Sequence, residues 1–158
     1  MRFIVLLLLA GLAFPAAAAE QDPFPDHQRT PGALNPDVTQ DNLQETVCAA
    51  GWIEKITPPP AQLDKLKVKQ MKQLHSRGPA KNYHEDHLVP LCAGGSPSDP
   101  RNLWPQRVEG DWNYKVKDQL ETAVCKALCS GDVTLEHARS IFLEPDWTKE
   151  FLKFYHVE

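Results

Sequence analysis

One stretch of the sequence decides the fold, 83-YHEDHLVPLCAGGSPSDPRNLWPQ-106. Residues 84–91 predict a strand that Pro90 interrupts, and the glycines and prolines of 92–102 predict a loop. Because neighbouring side chains on a strand point to opposite faces, Asp86 and His87 meet at one site only where the backbone is distorted. Pro90 and the double glycine supply irregular backbone, and Asn102 follows just before a predicted helix. This order of strand, loop and helix is more specific than an Asp-His pair alone.

The rest of the chain has the pattern of a small, mostly helical domain. Apolar spacing and capping residues predict four helices, over 38–48, 61–74, 109–128 and 134–142. A short strand is predicted over 52–56, and aromatic residues should pack the C-terminal end onto the core: Trp147, Phe151, Phe154 and Tyr155. We therefore expect an α+β fold, disulfide-stabilised. It comprises a single domain over 38–158 with its core motif at 83–118, preceded by an extended, proline-rich arm over 20–37.

The first 19 residues have the features of a secretory signal peptide. Arg2 precedes the apolar run 3–14, and the small residues 17–19 precede an expected cleavage site before Glu20. The run is short for a transmembrane helix, although an uncleaved membrane anchor is the alternative. We expect an exported protein, periplasmic or secreted, that is free of the membrane after cleavage.

Export determines how the four cysteines are interpreted. In an oxidising compartment, an even number of cysteines predicts two disulfides, and the alternative four-cysteine zinc site lacks the usual close Cys-x-x-Cys pairs. Cys125 and Cys129 share one face of a predicted helix, so each is better placed to bridge outward. Three connectivities are open from sequence, and we favour Cys48 with Cys129 and Cys92 with Cys125.

Charge is unevenly distributed along the chain. The net charge is −4, yet residues 64–81 carry six basic residues against Asp64 alone. Such a basic face would hold a polyanion locally, and the alternative is an ordinary solvated helix face. The candidate nucleic-acid contacts are Lys67, Lys72, Arg77, Lys81 and Lys115.

The motif Asp-His-x-x-Pro-Leu, followed by Gly-Gly and Asn-Leu, resembles the HNH endonuclease motif of the ββα-metal fold. The chain is most similar to a group of small exported bacterial HNH-like proteins. It shares with them Thr-Pro-Gly-x-x-Asn-Pro-x-Val-Thr-Gln at 30–40, Cys-x-x-Gly-Trp at 48–52 and Asp-Pro-Arg-Asn-Leu-Trp-Pro at 99–105. Lys117-Asp118 and a Cys-x-Gly helix ending at 129–131 extend the resemblance over most of the chain after the signal peptide.

The resemblance implies a role for each matched residue. His87 would be the general base that takes a proton from the attacking water. Asp86 would bind one divalent metal ion, with Mg²⁺ expected first and Zn²⁺, Mn²⁺ or Ni²⁺ as alternatives. Asn102 would hold the loop closed, and Arg101 would clamp the scissile phosphate. A structural Asp86–His87 pair and a purely loop-capping Asn102 are the alternatives.

The second metal ligand departs from the family pattern, which places a His or Asn early in the following helix. Here that region, 110–118, contains no histidine. Asn113 is the best candidate for this ligand and Asp111 the next. His84 is a further candidate for metal or substrate binding, or simply a surface histidine. Trp104 and Trp112 would either stack a base or pack in the core.

Three functions from different classes follow. The first is an exported, monomeric, metal-dependent endonuclease (a hydrolase) that cuts DNA or RNA with little sequence preference. The second is a non-catalytic module that keeps the fold and binds nucleic acid or an envelope partner through the 65–81 face. The third is a domain stabilised by zinc at His84, Asp86 and His87.

Overall fold

A computed structural model of the protein describes residues 24–155, so the expected signal peptide lies outside the described residues. Five α-helices follow in order: α1 (Trp52–Ile56), α2 (Pro60–Gln73), α3 (Tyr114–Ser130), α4 (Leu135–Leu143) and α5 (Trp147–Tyr155). Two strands precede α3, β1 (Tyr83–His87) and β2 (Leu103–Arg107), and short 3₁₀ turns lie at Gln40–Glu45, Ala80–Asn82, Leu91–Ala93 and Pro100–Asn102. Over the described range, no helix combines the length and apolarity needed to cross a bilayer. The α+β class is confirmed.

The two strands form an antiparallel hairpin closed by the long glycine-containing loop. Tyr83 pairs with Arg107 at one end and His87 with Leu103 at the other. The first strand was predicted from the sequence but β2 was not, because Pro105 within β2 disfavours a strand. The hairpin then leads through an irregular segment into α3, which begins at Tyr114 and not at 109.

Two further sequence predictions are corrected by the structure. The segment 52–56, predicted as a strand, is the helix α1, which follows Gly51 in a left-handed conformation at φ 78°. The C-terminal aromatic residues, all of which were expected to pack onto the core, lie in the helix α5 and are buried unequally. Its first residue, Trp147, is fully buried, whereas Phe154 and Tyr155 remain 39% and 41% exposed.

The core lies where α3 and α4 pack together with the loop after β1. Its fully or nearly fully buried members include Val89, Ala93, Leu120, Val124, Leu128, Ala138, Phe142 and Trp147. Trp112 adds an edge-on contact to Trp147 with ring centroids 5.9 Å apart. This core fixes one face of α3, so the residues of α3 that face β1 are held in position.

Both predicted disulfides are present. Cys48 is bonded to Cys129, and Cys92 is bonded to Cys125. The first bond ties the segment before α1 to the C-terminal end of α3, and the second ties the hairpin loop to the middle of α3. The disulfides therefore fasten α3 both to the segment before α1 and to the loop that follows β1.

The segment 24–37 contains turns and one isolated bridge, between Leu34 and Gly95, and it packs against the domain. Gly32 and Ala33 donate backbone hydrogen bonds to the carbonyl of Arg101, at 2.9 and 3.2 Å. Asn35 donates to the carbonyl of Gly94 at 2.8 Å. The segment therefore supports the hairpin loop from outside.

Candidate functional site

Asp86 lies in β1 with its side chain toward α3. It is 6% exposed, and its Oδ2 atom lies 2.8 Å from the Nζ atom of Lys117. Lys117 is fully buried and also donates a hydrogen bond of 2.6 Å to the backbone carbonyl of His87. It forms a second ion pair, with Glu121 one turn further along α3. A buried ammonium thus joins the strand to the helix.

The charge of Lys117 is maintained by its partners. Burial alone would lower the pKa of the ammonium, but the negative charges of Asp86 and Glu121 outweigh burial and raise the pKa above its ordinary value. The Nζ atom also lies 5.5 Å from the ring centre of Phe142. Lys117 is therefore a cation enclosed by two carboxylates, a carbonyl and an aromatic ring.

Three carboxylates converge beside this ammonium. One oxygen from each of Asp86, Asp118 and Glu121 lies within 4.8 Å of the others. Residues three or four apart share a helix face, so Asp118 and Glu121 approach β1 together. Burial raises the pKa of Glu121 to about 7, a shift opposed by Lys117 and increased by Asp86. Burial and then Asp86 also raise the pKa of Asp118.

His87, the predicted base, lies at the end of β1. Its Nε2 atom is 3.0 Å from the backbone carbonyl oxygen of Pro97. A carbonyl only accepts, so this contact assigns the proton to Nε2 and leaves Nδ1 as the free acceptor. Burial lowers the pKa of the imidazole, so His87 is neutral at neutral pH.

Asn102 clamps the loop between the strands. It is fully buried, and its Oδ1 accepts the backbone N–H of Val89 at 2.9 Å. Its Nδ2 donates to the carbonyls of Val89 and Ser96, at 2.9 and 3.0 Å. A Cβ atom on Gly95 would lie 2.6 Å from Nδ2, so the loop needs glycine at this point. The loop-closing contacts expected of Asn102 are present.

Arg101 and Asn113 are engaged in local structure. The side chain of Arg101 is 68% exposed, and its guanidinium pairs with the carboxylate of Asp99, with Nη2 to Oδ2 at 2.6 Å. Asn113 caps α3, since its Oδ1 accepts the N–H of Lys115 at 2.9 Å and its Nδ2 donates to the carbonyl of Gly110 at 2.7 Å. Asp111 is exposed.

The acids that do converge with Asp86 were not selected from the sequence. Lys117 is buried, Glu121 is partly buried and Asp118 is exposed. The available signal was the Lys117-Asp118 pair, which belongs to the resemblance but was given no role. Within residues 24–155, the side chains close enough to share a metal ion with Asp86 are Asp118 and Glu121, and neither His84 nor His87 is among them. The geometry therefore gives no grouping that matches the predicted zinc set of His84, Asp86 and His87.

The basic candidates differ in exposure. Lys72, Arg77, Lys81 and Lys115 are exposed, whereas Lys67 is partly buried. Lys67 is turned toward Asp64, with Nζ to Oδ1 at 2.8 Å. Among the aromatic candidates, Trp104 is buried at 4% exposure and Trp112 packs against Phe151 and Trp147, which favours core packing for both.

Two neighbours of Asp86, His84 and Glu85, lie in contrasting environments. His84 is exposed and stacks on Tyr114 at the start of α3, with ring centres 4.5 Å apart. Glu85 is only 4% exposed, and within the described residues neither carboxylate oxygen has a hydrogen-bond partner. Burial raises the pKa of Glu85 to about 8, so the side chain is largely protonated at neutral pH.

Comparisons with protein-family models, with curated proteins and with solved structures found no match to this chain.

Proposed function

We propose that the protein is an exported, metal-dependent endonuclease of the HNH type that hydrolyses phosphodiester bonds of DNA or RNA with little sequence preference. The observation that carries this proposal is the convergence of Asp86, Asp118 and Glu121 beside the strand that bears His87. The resemblance of the 83–106 motif to HNH endonucleases supports the same assignment.

The donor set suits a hard divalent cation. Carboxylate oxygens are the ligands preferred by Mg²⁺ and Mn²⁺, and three of them come within 4.8 Å of one another here. We therefore assign metal binding to Asp86 with Asp118 and Glu121, in place of Asn113, whose amide caps α3. A bound ion would neutralise charge that develops on the phosphoryl and leaving oxygens.

The residues of the chain supply the remaining functions. His87 is neutral, and its Nδ1 atom accepts a proton from the attacking water while the Pro97 carbonyl holds Nε2. Asn102 keeps the loop that carries Pro97 closed over the strand. Positioning of this kind is the usual contribution of buried amides around a catalytic group.

The charged surface fits a polyanionic substrate. Lys81 precedes β1 and Lys115 lies in the first turn of α3, so an exposed cation lies near the start of each of the two elements that carry the site. Phosphate contacts of this kind bind nucleic acid without reading its sequence. The two disulfides support an oxidising, exported location.

The test is metal-reconstituted cleavage of supercoiled plasmid and of single-stranded RNA. Asp86→Asn should abolish cleavage in Mg²⁺ and Mn²⁺, and Asp111→Asn, which changes an exposed acid before α3, should retain it. Far-UV circular dichroism checks that both variants are folded. Cleavage by Asp86→Asn at the rate of Asp111→Asn would exclude the proposed centre.

A non-catalytic nucleic-acid-binding module is the second candidate. Lys117 already neutralises part of the acidic cluster, which favours a structural role for those acids. This candidate predicts nucleic-acid binding that weakens steeply with salt, survives chelation and is accompanied by no cleavage. Loss of binding in Lys72→Gln and Lys81→Gln would assign it to the exposed basic face.

A further inference from the structure

The ammonium of Lys117 occupies the position at which a cation would be bound by this site. Its Nζ atom lies 2.8 Å from Asp86 Oδ2 and 2.6 Å from the carbonyl oxygen of His87, and it is paired with Glu121. Two carboxylates and a carbonyl are also the kind of oxygen donors that a hard divalent ion takes. Lys117 and a metal ion would therefore bind the same oxygen atoms.

Lys117 differs from an ordinary surface lysine because its side chain is buried. Its side chain has no exposed area, and Leu120 and Val124 beside it on α3 are buried in the core. An ammonium in such a place is stable only while its charge is compensated, because burial removes its hydration. The contacts to Asp86 and Glu121 supply that compensation, and any ion that took these carboxylates would remove it.

We propose that Lys117 is the resident cation of the site and competes with the divalent ion for Asp86 and Glu121. Metal then binds only as the ammonium leaves these two carboxylates, so Lys117 sets the metal affinity of the site. This proposal rests on the proposed metal-dependent function, which identifies the competing ion as a divalent metal. It adds that Lys117 controls how far the metal occupies the site.

The first test measures Mn²⁺ binding by electron paramagnetic resonance and calorimetry. Lys117→Met keeps the length of the side chain and removes its charge, whereas Lys126→Met makes the same change at an exposed position of α3. Lys117→Met should bind Mn²⁺ at least about tenfold more tightly than the wild type, and Lys126→Met should match the wild type. Folded Lys117→Met that binds Mn²⁺ no more tightly would overturn the proposal.

A second measurement needs no substitution, and it decides the matter if Lys117→Met does not fold. Lysine ammonium groups that are buried exchange slowly with water and are observable by ¹⁵N-detected nuclear magnetic resonance of the wild-type protein. Titration with Mg²⁺ should shift or remove the Lys117 ammonium signal in proportion to metal binding. An unchanged signal at saturating Mg²⁺, or no binding of Mg²⁺ at all, would contradict the competition.

The two proposals fail separately. If Lys117→Met gains Mn²⁺ affinity while no phosphodiester is cut, the site binds metal under the control of Lys117 but the nuclease assignment is wrong. If plasmid is cut in a metal-dependent way while Lys117 does not respond to metal, the nuclease assignment stands and the competition is wrong.

Discussion

Replacement of Asn102 by alanine is expected to destabilise the protein strongly. The substitution removes the partner of the Val89 N–H, of the Val89 carbonyl and of the Ser96 carbonyl. The two Val89 groups are buried, and a buried polar group left without a partner costs about 1–3 kcal/mol. With the smaller loss at the partly buried Ser96, the free energy of unfolding should fall by about 3–5 kcal/mol.

Urea unfolding followed by tryptophan fluorescence measures this loss, since Trp104 and Trp147 are buried and report on the packed state. The matched control is Asn113→Ala, which removes a helix cap and should cost only about 1 kcal/mol. If Asn102→Ala loses no more than the control, the loop does not depend on the Asn102 hydrogen bonds and our explanation of its closure is wrong.

Three other substitutions have defined outcomes in the same unfolding assay. Gly95→Ala should cost about 2–4 kcal/mol, because its Cβ would collide with the carbonyl of Val89; a neutral result would show that the loop can move. The pKa of Glu85 is raised from 4.5 to about 8, so ionisation costs the folded state stability as pH rises through this interval. The free energy of unfolding of Glu85→Gln should therefore match that of the wild type below pH 4 and exceed it by on the order of 3 kcal/mol at pH 8. A difference that does not change with pH would show that the pKa of Glu85 is not raised. Replacing Cys48 and Cys129 together by alanine should cost about 4 kcal/mol, because the bond closes a loop with a separation of 81 residues; a loss below about 1 kcal/mol would contradict it.

Local signals made much of the hairpin region predictable. Pro90 and the double glycine indicate an irregular loop, and the loop contacts of Asn102 agree with that expectation. The shared helix face of Cys125 and Cys129 argued against a bond between these two cysteines, and the connectivity favoured among those left open by the sequence is the one present. The loop was indicated by residues within it, whereas each disulfide joins residues that are 81 or 33 positions apart.

The elements that were missed depend on tertiary contacts. β2 contains Pro105 and is a strand because β1 pairs with it, which no local propensity reveals. α1 is too short to show helical periodicity, and a run of five residues such as 52–56 is ambiguous between helix and strand. The aromatic residues of α5 were recognised as packing residues, but their helical spacing was not.

Two of the three candidate metal ligands, Asp118 and Glu121, were missed for a related reason. Asn113 was chosen because it occupies the early-helix position of the family pattern, yet the same position is where a helix needs a cap. Asp118 and Glu121 lie further along α3, and only the packing of α3 on β1 brings them to Asp86. Charged residues beside a core stripe are usually solvated, so the sequence alone gave them no priority.

The most direct test of the proposed endonuclease is plasmid nicking by His87→Ala. His137 on α4 is exposed, and His137→Ala provides a control with the same chemical change. The wild type and His137→Ala should nick plasmid with Mg²⁺ or Mn²⁺ and stop when the metal is chelated, whereas folded His87→Ala should lose at least about 100-fold in rate because it lacks the base. Equal nicking by His87→Ala, or no metal-dependent nicking by the wild type, would contradict the proposed function.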